Sequence, residues 1–401
     1  MDFDDTAEEA EFRSAVRHWL KDNGGRFIPP PDADDVVIIG LAKQWQAALA
    51  DAGYAGFGLP AEMGGRPGAP IEQLIFHQEI ASHPMAMVEV MTLGCGMAIP
   101  TVMKHGRPEH LELLARPTIR GDIIWCQLFS EPGAGSDLAG ILTKAVRDGG
   151  DWIVTGQKVW TSGALFADWG LLLVRTDPTV PKHRGLSYFL LDMKAPGVEV
   201  RPLKQIGGRS EFNEVFIAEV RIPDAMRLGE IGGGWKVAMT TLSNERLALT
   251  ADAAVGRNLV QPLLRLAKRL DLVEDRAFAE RLASYYAAAA GIEHIGSRIT
   301  TALSRGENPG AEATIGKMTL TRLLQSMSAF GMDLAGMAGG TIDRAADPDL
   351  FEIQEGFFLA PGYRMGGGTE EIGKNIIAER VLGLPPDYRP DKDVPFNRIG
   401  K

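Results

Sequence analysis

Small and hydroxylated residues are concentrated in one loop that could hold a flat or phosphate-bearing ligand. The sequence reads S-E-P-G-A-G-S-D from position 130, and Pro132, Gly133 and Gly135 exclude a helix or a central strand there. Small side chains let a ligand approach the backbone closely, while Ser130 and Ser136 add hydroxyl groups beside exposed amides. The string is not a P-loop, because no Gly-Lys-Ser/Thr follows, and it lacks the spacing of a dinucleotide fingerprint. Taken alone, it indicates either a ligand loop or a simple tight turn.

A second string, W-I-V-T-G-Q-K-V-W-T-S-G from position 152, has the alternation of a strand. Its Thr155-Gly156 pair predicts the turn of a hairpin that presents Trp160, Thr161 and Ser162 together. Trp160 has two interpretations: it contacts a ligand, or it belongs to the core of a β domain.

A charged pair, Glu245-Arg246, interrupts an apolar helical pattern. The stripe of this predicted helix consists of Trp235, Met239, Leu242 and Leu249. At about 100° per residue, Arg246 falls within the stripe and Glu245 at its edge. A carboxyl group in such a place has its pKa raised by desolvation, which suits a general base near neutral pH. The alternative is a buried ion pair in which Glu245 only neutralises Arg246.

The composition excludes several classes of protein. The 401 residues, 45% of them hydrophobic, are enough for two or three domains with full cores. A net charge of −10 argues against nonspecific nucleic-acid binding. Cys95 and Cys126 cannot form a disulfide framework, and the histidines lack metal-ligand spacing, so we expect no metal site. No apolar run of about 18 residues predicts a membrane span, and the acidic N-terminus is unlike a targeting segment, so a cytoplasmic location is expected.

The period of the apolar residues changes twice along the chain. Residues 1–121 show the 3.6-residue period of helices, beginning with a capping-box signature at Thr6 and Glu9. Short apolar runs separated by turns then indicate an antiparallel barrel or sandwich. Helical periodicity returns from Trp235, with long helices predicted at 235–269, 277–304 and 311–335, a less regular stretch at 350–368, and a closing helix at 369–382. The predicted domains are 1–121 (α-helical), 122–231 (β), 232–387 (helical bundle) and a tail at 388–401.

The two strings at their spacing resemble the acyl-CoA dehydrogenase family, and so does G-G-G-T-E-E-I-G-K-N-I-I-A-E-R-V-L-G-L-P from position 366. The resemblance implies an α+β multi-domain fold with an N-terminal α-helical domain, a middle antiparallel β-barrel and a C-terminal four-helix bundle. It further implies an FAD cofactor between the β domain and the bundle, with an acyl-CoA thioester across the flavin ring.

Carried over residue by residue, the resemblance implies three groups of cofactor contacts. They are Gln127, Leu128, Phe129, Ser130, Gly135 and Ser136 in the first string, Trp160, Thr161 and Ser162 in the second, and Thr369 and Glu371 near the C-terminus. The implied substrate contacts are Ser136, Arg246 and Gly367. Glu371 also has a plain interpretation as an acid in a first helical turn, where the helix dipole favours negative charge.

The reaction that the resemblance implies is α,β-dehydrogenation of an acyl-CoA, which needs a base for the α-proton. Many family members carry that base as a glutamate immediately before the Gly-Thr of the C-terminal loop, where this sequence has Gly367. Isovaleryl- and long-chain-type members carry it on the first helix of the bundle, at the position of Glu245. Glu245 is therefore the predicted base, and Arg246 is expected to be structural or to orient the substrate.

The sequence departs from the family at one segment. Most members have an Arg-x-x-Phe-Gly segment whose arginine reaches the FAD of a neighbouring subunit, whereas this chain has Arg276-Ala277-Phe278-Ala279 and a loose glycine-rich segment at 336–340. The expected partners are an electron-transfer flavoprotein and further copies of the chain in a homotetramer, or a paralogue in a heterotetramer. Two alternatives stay open: a half-site or non-catalytic subunit of a heteromeric dehydrogenase, and an acyl-CoA oxidase-like flavoenzyme. The acyl group cannot be read from the sequence.

Overall fold

The computed structural model describes residues 5–30, 33–68, 70–85, 89–251, 259–307, 310–311, 313–341 and 347–399. The chain divides into two compact units that combine distant segments. The first contains Met1–Ile38, Ala69–Ala86 and Arg246–Pro386, and the second contains Ile39–Gly68, Met87–Glu245 and Asp387–Lys401. Because the units follow packing and not chain order, the predicted domain boundaries at 121, 231 and 387 stay predictions.

The N-terminal region is helical and contributes to both units. Its helices are α1 (Ala7–Asn23), α2 (Asp35–Asp51), α3 (Pro70–Ile80), α4 (Glu89–Leu93), α5 (Ile99–His105) and α6 (Pro108–Ile119), with a π-helical turn, Gly94–Ala98, between α4 and α5. The predicted capping box is confirmed, since the Thr6 hydroxyl accepts from the Glu9 N–H and the Glu9 carboxylate accepts from the Thr6 N–H. A β-carbon at Gly94 would lie 2.6 Å from the Thr118 side chain, so a glycine is needed where these helices meet.

The middle region of the chain forms one mixed sheet. Its strands are β1 (Trp125–Leu128), β2 (Lys144–Asp148), β3 (Asp151–Ser162), β4 (Trp169–Arg175), β5 (Leu186–Asp192), β6 (Val198–Pro202), β7 (Phe212–Pro223) and β8 (Arg227–Leu228). They are ordered β6-β7-β3-β2-β4-β5-β8, with β1 paired to β4. The predicted antiparallel pairing holds for five strand pairs, whereas β4 pairs in parallel with β1 and with β2. Closure of this sheet into a barrel stays a prediction.

The predicted hairpin turn at Thr155-Gly156 is also wrong. Strand β3 runs through both residues, and the chain reverses earlier, between β2 and β3, where Asp148 pairs with Asp151. A β-carbon at Gly156 would lie 2.3 Å from the Thr143 hydroxyl oxygen, so this glycine permits close packing against Thr143 and does not form a turn.

The C-terminal region of the chain is helical. Its helices are α7 (Gly234–Ala251), α8 (Gln261–Arg269), α9 (Arg276–Ser304), α10 (Ala313–Ala335), α11 (Pro348–Tyr363) and α12 (Glu370–Arg380). Helices α8 to α11 share one buried core, which confirms the four-helix bundle; it contains Leu263, Leu266, Tyr285, Ile292, Leu323, Met327 and Ile353. The stretch predicted as less regular at 350–368 is helical as far as Tyr363. The predicted single helix 235–269 includes positions 252–258, which lie outside the described residues. Among the helices described, none is long and apolar enough to cross a membrane.

The apolar core of the sheet is a testable source of stability. Leu172 in β4 is fully buried, whereas Val146 in β2 is 58% exposed on the same sheet. We expect Leu172→Ala to lower the free energy of unfolding by about 2–5 kcal/mol, because it removes buried apolar area and leaves a cavity. The control Val146→Ala should change it by less than about 0.5 kcal/mol in the same urea titration followed by circular dichroism. Equal losses in the two variants would contradict this assignment of the core.

Candidate functional site

The Ser-Gly loop, residues 130–143, connects β1 to β2 and is closed by its own backbone. Glu131 and Ala134 exchange two backbone hydrogen bonds of 3.0 Å, which place Pro132 and Gly133 at the tip. A β-carbon added at Gly133 or Gly135 meets no protein atom within 4 Å. Packing within the described chain therefore does not require glycine at these two positions, and the space beside them is open to a ligand.

The predicted contact residues of this region differ in exposure. Leu128 and Phe129 are buried, and the Phe129 carbonyl already accepts from Lys158. Gly135 and Ser136 are exposed, and Gln127 and Ser130 are half-buried. The structure thus leaves the backbone amides and the two serine hydroxyls accessible, as a bound anion or ring system would require.

A buried ion pair joins the loop to strand β3. The Lys158 ammonium, whose side chain is fully buried, donates to the Glu131 carboxylate at 2.8 Å and to the Phe129 carbonyl at 3.0 Å. The same carboxylate accepts the backbone N–H groups of Leu142 (2.6 Å) and Thr143 (2.9 Å). Burial lowers the pKa of Lys158. Burial alone would raise the pKa of Glu131, but the Lys158 charge and these hydrogen bonds outweigh it and lower that pKa.

Sequence reasoning missed the role of this pair. Glu131 lies in the first string and Lys158 in the second, and the Val159 N–H also donates to the Ser130 carbonyl at 2.9 Å. The two motifs contain one acidic and one basic residue at these positions, and this could have indicated an ion pair between them. Their contact fixes the position of the loop relative to the end of β3.

Trp160 has a strained and exposed conformation. Its φ angle is 60°, which is an outlier for a bulky residue, and it lies where the pairing of β3 with β7 shifts register. The residue is 61% exposed and meets the Phe212 ring edge-on at 5.9 Å between centroids. The alternative of a core tryptophan is therefore wrong. Strain of this kind is characteristic of functional positions, and an exposed indole is available to stack on a ring.

The two residues after Trp160 offer polar groups. Thr161 is fully buried, and its hydroxyl has no hydrogen-bond partner among the described residues. Ser162 is half-buried at the end of β3. Unpaired buried hydroxyls are uncommon in folded proteins. An open glycine loop, an exposed indole and an unpaired hydroxyl together fit the binding of a flavin cofactor.

Glu245 lies on the buried face of α7. That face is formed by Val237, Ala238 and Thr241, and Glu245 follows Thr241 by one helical turn and is half-buried. The predicted stripe was wrong, because Trp235, Met239 and Leu242 are only half-buried. The face carries small and hydroxylated residues, and the Thr241 hydroxyl lies 3.0 Å from that of Tyr188 and 3.1 Å from that of Thr101. The positions of the large apolar residues therefore did not indicate which side of α7 is buried.

The residues on either side of Glu245, Asn244 and Arg246, are described to different extents. The Asn244 side-chain nitrogen is buried without a hydrogen-bond partner in the described part of the chain. The Arg246 side chain, predicted to contact the substrate, lies outside the described residues, as does that of Leu249. The predicted alternative, an ion pair between Glu245 and Arg246, stays untested.

The C-terminal site residues lie at the start of α12. Thr369 caps this helix by accepting the Ile372 N–H at 3.3 Å. Glu371 is exposed, and hydrogen bonds from its own N–H and from the Thr369 hydroxyl lower the pKa of its carboxyl. Helix capping thus accounts for Thr369 and Glu371 without a cofactor. Gly367 and Gly368 have φ angles of 63° and 95°, so this loop requires glycine, and a glutamate at position 367 would strain it.

A charge cluster beside this loop was not predicted. The Glu370 carboxylate accepts hydrogen bonds from Arg322, Arg364 and Lys374, of which the Arg364 contact is 2.5 Å and the Lys374 contact 3.0 Å. Lys317 donates to the Gly368 carbonyl at 2.6 Å. The cluster fixes both ends of the glycine loop. Lys374 and Arg364 are close to Glu370 in sequence, but Arg322 is 48 residues away, so no local pattern could reveal that contact.

The segment that departs from Arg-x-x-Phe-Gly has a structural role in the bundle. Phe278 is buried and stacks on Phe330 at 6.2 Å between centroids. Arg276 is exposed and pairs with Glu280 at 3.0 Å.

Comparisons with known proteins agree over nearly the whole chain. Residues 6–122, 126–220 and 232–382 match the N-terminal, middle and C-terminal domains of acyl-CoA dehydrogenases. The acyl-CoA dehydrogenase FadE34 of Mycobacterium tuberculosis is 43% identical over 341 residues, which are 85% of this chain and 46% of that protein. The acyl-CoA dehydrogenase IpdE1 of the same organism is 36% identical over 393 residues, covering 94% of this chain and 98% of that protein. This chain thus spans about half the length of FadE34 and nearly all of IpdE1.

A solved structure, the Tcur3481-Tcur3483 steroid ACAD, matches with a TM-score of 0.83 and 28% identity over 96% of this chain and 100% of that one. The architecture and the site thus define a flavin-dependent oxidoreductase acting on acyl-CoA thioesters. The chain belongs to the acyl-CoA dehydrogenase family, whose members are FAD-dependent.

The buried ion pair makes a quantitative prediction. Glu131→Gln leaves the Lys158 ammonium buried without a counter-ion and should lower the free energy of unfolding by about 3–5 kcal/mol. The matched control Glu199→Gln breaks an ion pair with Arg201 whose partners are 60% and 58% exposed, and should cost much less, because solvent screens that pair. Adding Lys158→Met to Glu131→Gln should restore part of the loss in the same denaturant titration. A loss for Glu131→Gln no larger than that of the control would contradict the role of the pair.

Proposed function

We propose that this acyl-CoA dehydrogenase removes the α-proton of a bulky, steroid-type acyl-CoA with Glu245 and passes the electrons to an electron-transfer flavoprotein. The observation that carries the assignment of the base is Gly367. The loop position that supplies the base in many relatives has no carboxylate and has a left-handed backbone that requires glycine. Of the two positions at which family members carry the base, only that of Glu245, on the buried face of α7, has a carboxylate in this chain.

The residues proposed to hold FAD fall into two groups. The first group, in the two sequence strings, consists of Gln127, Leu128, Phe129, Ser130, Gly135, Ser136, Trp160, Thr161 and Ser162, and the second, at the start of α12, consists of Thr369 and Glu371. When bound, FAD supplies the two-electron acceptor for the dehydrogenation. The protein's own contribution is the open backbone beside Gly133 and Gly135, the exposed Trp160 ring and the serine hydroxyls, held in place by the Glu131–Lys158 pair.

Proton removal is the chemical step that falls to the protein. An α-proton of a thioester is a weak acid, so the base must be close to it and must have a pKa near neutrality. Glu245 is half-buried and lies one turn from the fully buried Thr241, so its carboxyl is partly shielded from water. In this proposal the α-proton moves to a Glu245 carboxylate oxygen, the electrons of that C–H bond form the new C–C double bond, and the β-hydrogen leaves with its own electron pair as a hydride, for which bound FAD would be the acceptor. Ser136, Arg246 and Gly367 are proposed to contact the thioester.

The steroid class of substrate is supported by similarity. The Tcur3481-Tcur3483 complex is a steroid ACAD, and the match covers that chain completely. Gly367 is compatible with a branched, long or polycyclic acyl chain and does not choose between them. The electron-transfer flavoprotein is the acceptor that the family implies, in preference to oxygen.

Assembly into a tetramer is proposed from exposed apolar side chains. Four of them lie well outside any core: Met337 (96% exposed), Tyr388 (89%), Ile206 (82%) and Leu382 (66%). We propose that these side chains are covered by further subunits, because exposed apolar patches usually mark contact with another subunit.

A second candidate function is that of one subunit in a heteromeric dehydrogenase. It is favoured by the segment around Phe278, which packs within the bundle and leaves Arg276 paired with Glu280 at the surface. The similar steroid ACAD also carries the names of two proteins.

The base assignment is tested by Glu245→Gln, which keeps size and hydrogen bonding but removes the proton acceptor. We expect FAD and acyl-CoA binding to persist while anaerobic flavin reduction slows by roughly 100-fold to 10,000-fold. The control Glu109→Gln alters an exposed acid on α6 and should leave the rate unchanged. If Glu245 only neutralises Arg246, the variant should instead lose melting temperature and keep its rate per bound flavin.

The assembly proposal is tested by light scattering of the purified protein. We expect a mass of several times 43.3 kDa with one FAD per chain, because the exposed apolar residues need a covering subunit. A colourless protein that gains FAD only when a paralogue is co-expressed would favour the heteromeric alternative. A monomer that carries one FAD per chain would refute both assemblies.

A further inference from the structure

The C-terminal tail, residues 387–399, is attached to the sheet near the Ser-Gly loop. The Phe396 N–H donates to the Val180 carbonyl and the Asn397 N–H to the Pro178 carbonyl, both at 2.9 Å. Pro395 forms an antiparallel bridge with Pro181. The tail thus pairs with the segment that connects β4 to β5. The two are about 210 residues apart in sequence, as in the contact of Lys182 with Asp391.

Arg175 connects the tail to the end of the Ser-Gly loop. It is 4% exposed, and the Phe396 ring lies over its guanidinium, 3.5 Å from the central carbon to the ring centroid. The guanidinium donates to the carbonyls of Ala139 (2.5 Å) and Ile141 (3.1 Å), both in the loop. Phe396 therefore covers the cation that holds this part of the loop, and a desolvated cation over an aromatic face is stabilised by the ring.

Lys182 makes a second connection on the other side of the loop. Its ammonium lies 3.0 Å from the Asp137 carboxylate and 2.7 Å from that of Asp391 in the tail. Burial opposes its charge, but hydrogen bonds to Asp391 and Asp137 outweigh this and raise the pKa of Lys182. Asp137 follows directly after Ser136, the residue proposed to contact both FAD and substrate.

We propose that the tail positions the Ser-Gly loop for cofactor binding, with Phe396 acting through Arg175 and Asp391 acting through Lys182 and Asp137. The part that concerns FAD rests on the proposed function. In the absence of these contacts Glu131 still holds the amides of Leu142 and Thr143, but Arg175 and Lys182 hold residues 137–141 less firmly. The tail contacts then set how tightly the cofactor is held, and Phe396, Arg175, Asp391, Lys182 and Asp137 are positioning residues.

Backbone amide exchange of the protein without added FAD tests the structural part. Phe396→Leu keeps apolar bulk but removes the aromatic face, and should speed exchange of the amides of residues 137–143 by about tenfold. Phe396→Tyr restores the ring and should exchange like the wild type. Asp391→Asn weakens the Lys182 contact and should act in the same direction as Phe396→Leu. The matched control Asp393→Asn changes an exposed acid of the same tail and should have no effect.

FAD affinity, measured by quenching of flavin fluorescence, tests the functional part. Phe396→Leu and Asp391→Asn should each weaken FAD binding several-fold, up to about tenfold, while Phe396→Tyr and Asp393→Asn bind as the wild type does. Unchanged loop exchange and unchanged affinity in both destabilised variants would overturn the inference. If the wild type itself fails to bind FAD, the proposed function fails, whereas the exchange data still decide whether the tail holds the loop.

Discussion

The contact between Glu131 and Lys158 is the constraint on which the candidate site depends. Both groups are buried, so each needs the other to offset its lost hydration. The carboxylate also accepts two backbone N–H groups from the far end of the Ser-Gly loop, which closes the loop on itself. Because Lys158 lies two residues before Trp160, the same ion pair fixes the strained indole relative to the loop backbone. A flavin needs this arrangement in advance, since ordering a loop during binding lowers affinity.

The order of helices and strands could be predicted from the sequence, but the neighbours against which they pack could not. The change of apolar period identified helices, then strands, then helices, and the capping box at Thr6 fixed the start of α1. Gly156 was misread because glycine in a strand has two causes, a turn or a close neighbour, and the neighbour, Thr143, is invisible locally. The parallel pairing of β1 with β4 was missed for the same reason, since alternation does not specify a partner.

The site shows the same division between local and distant information. Trp160, Ser136 and the glycines could be found because motifs are contiguous, whereas the charge cluster around Glu370 and the tail contacts of Arg175 join residues far apart in sequence. The buried face of α7 was misjudged because small residues and hydroxyls pack there, and bulk is a poor measure of burial where hydrogen bonds replace apolar contact. Contiguous motifs identify the segments of the site, whereas contacts between residues far apart in sequence hold those segments in position.

The most direct test of the account is the anaerobic addition of CoA thioesters to the FAD-loaded protein, followed by the visible absorbance of the flavin. The panel should run from a short straight-chain thioester to one with a steroid side chain. Rapid bleaching is expected with the steroid-type thioester and little or none with the short one. The colour should return slowly in air, as expected of a dehydrogenase that uses a protein acceptor. Flavin that stays oxidised with every thioester, in a protein that binds them, would contradict the assignment of acyl-CoA dehydrogenation to this chain.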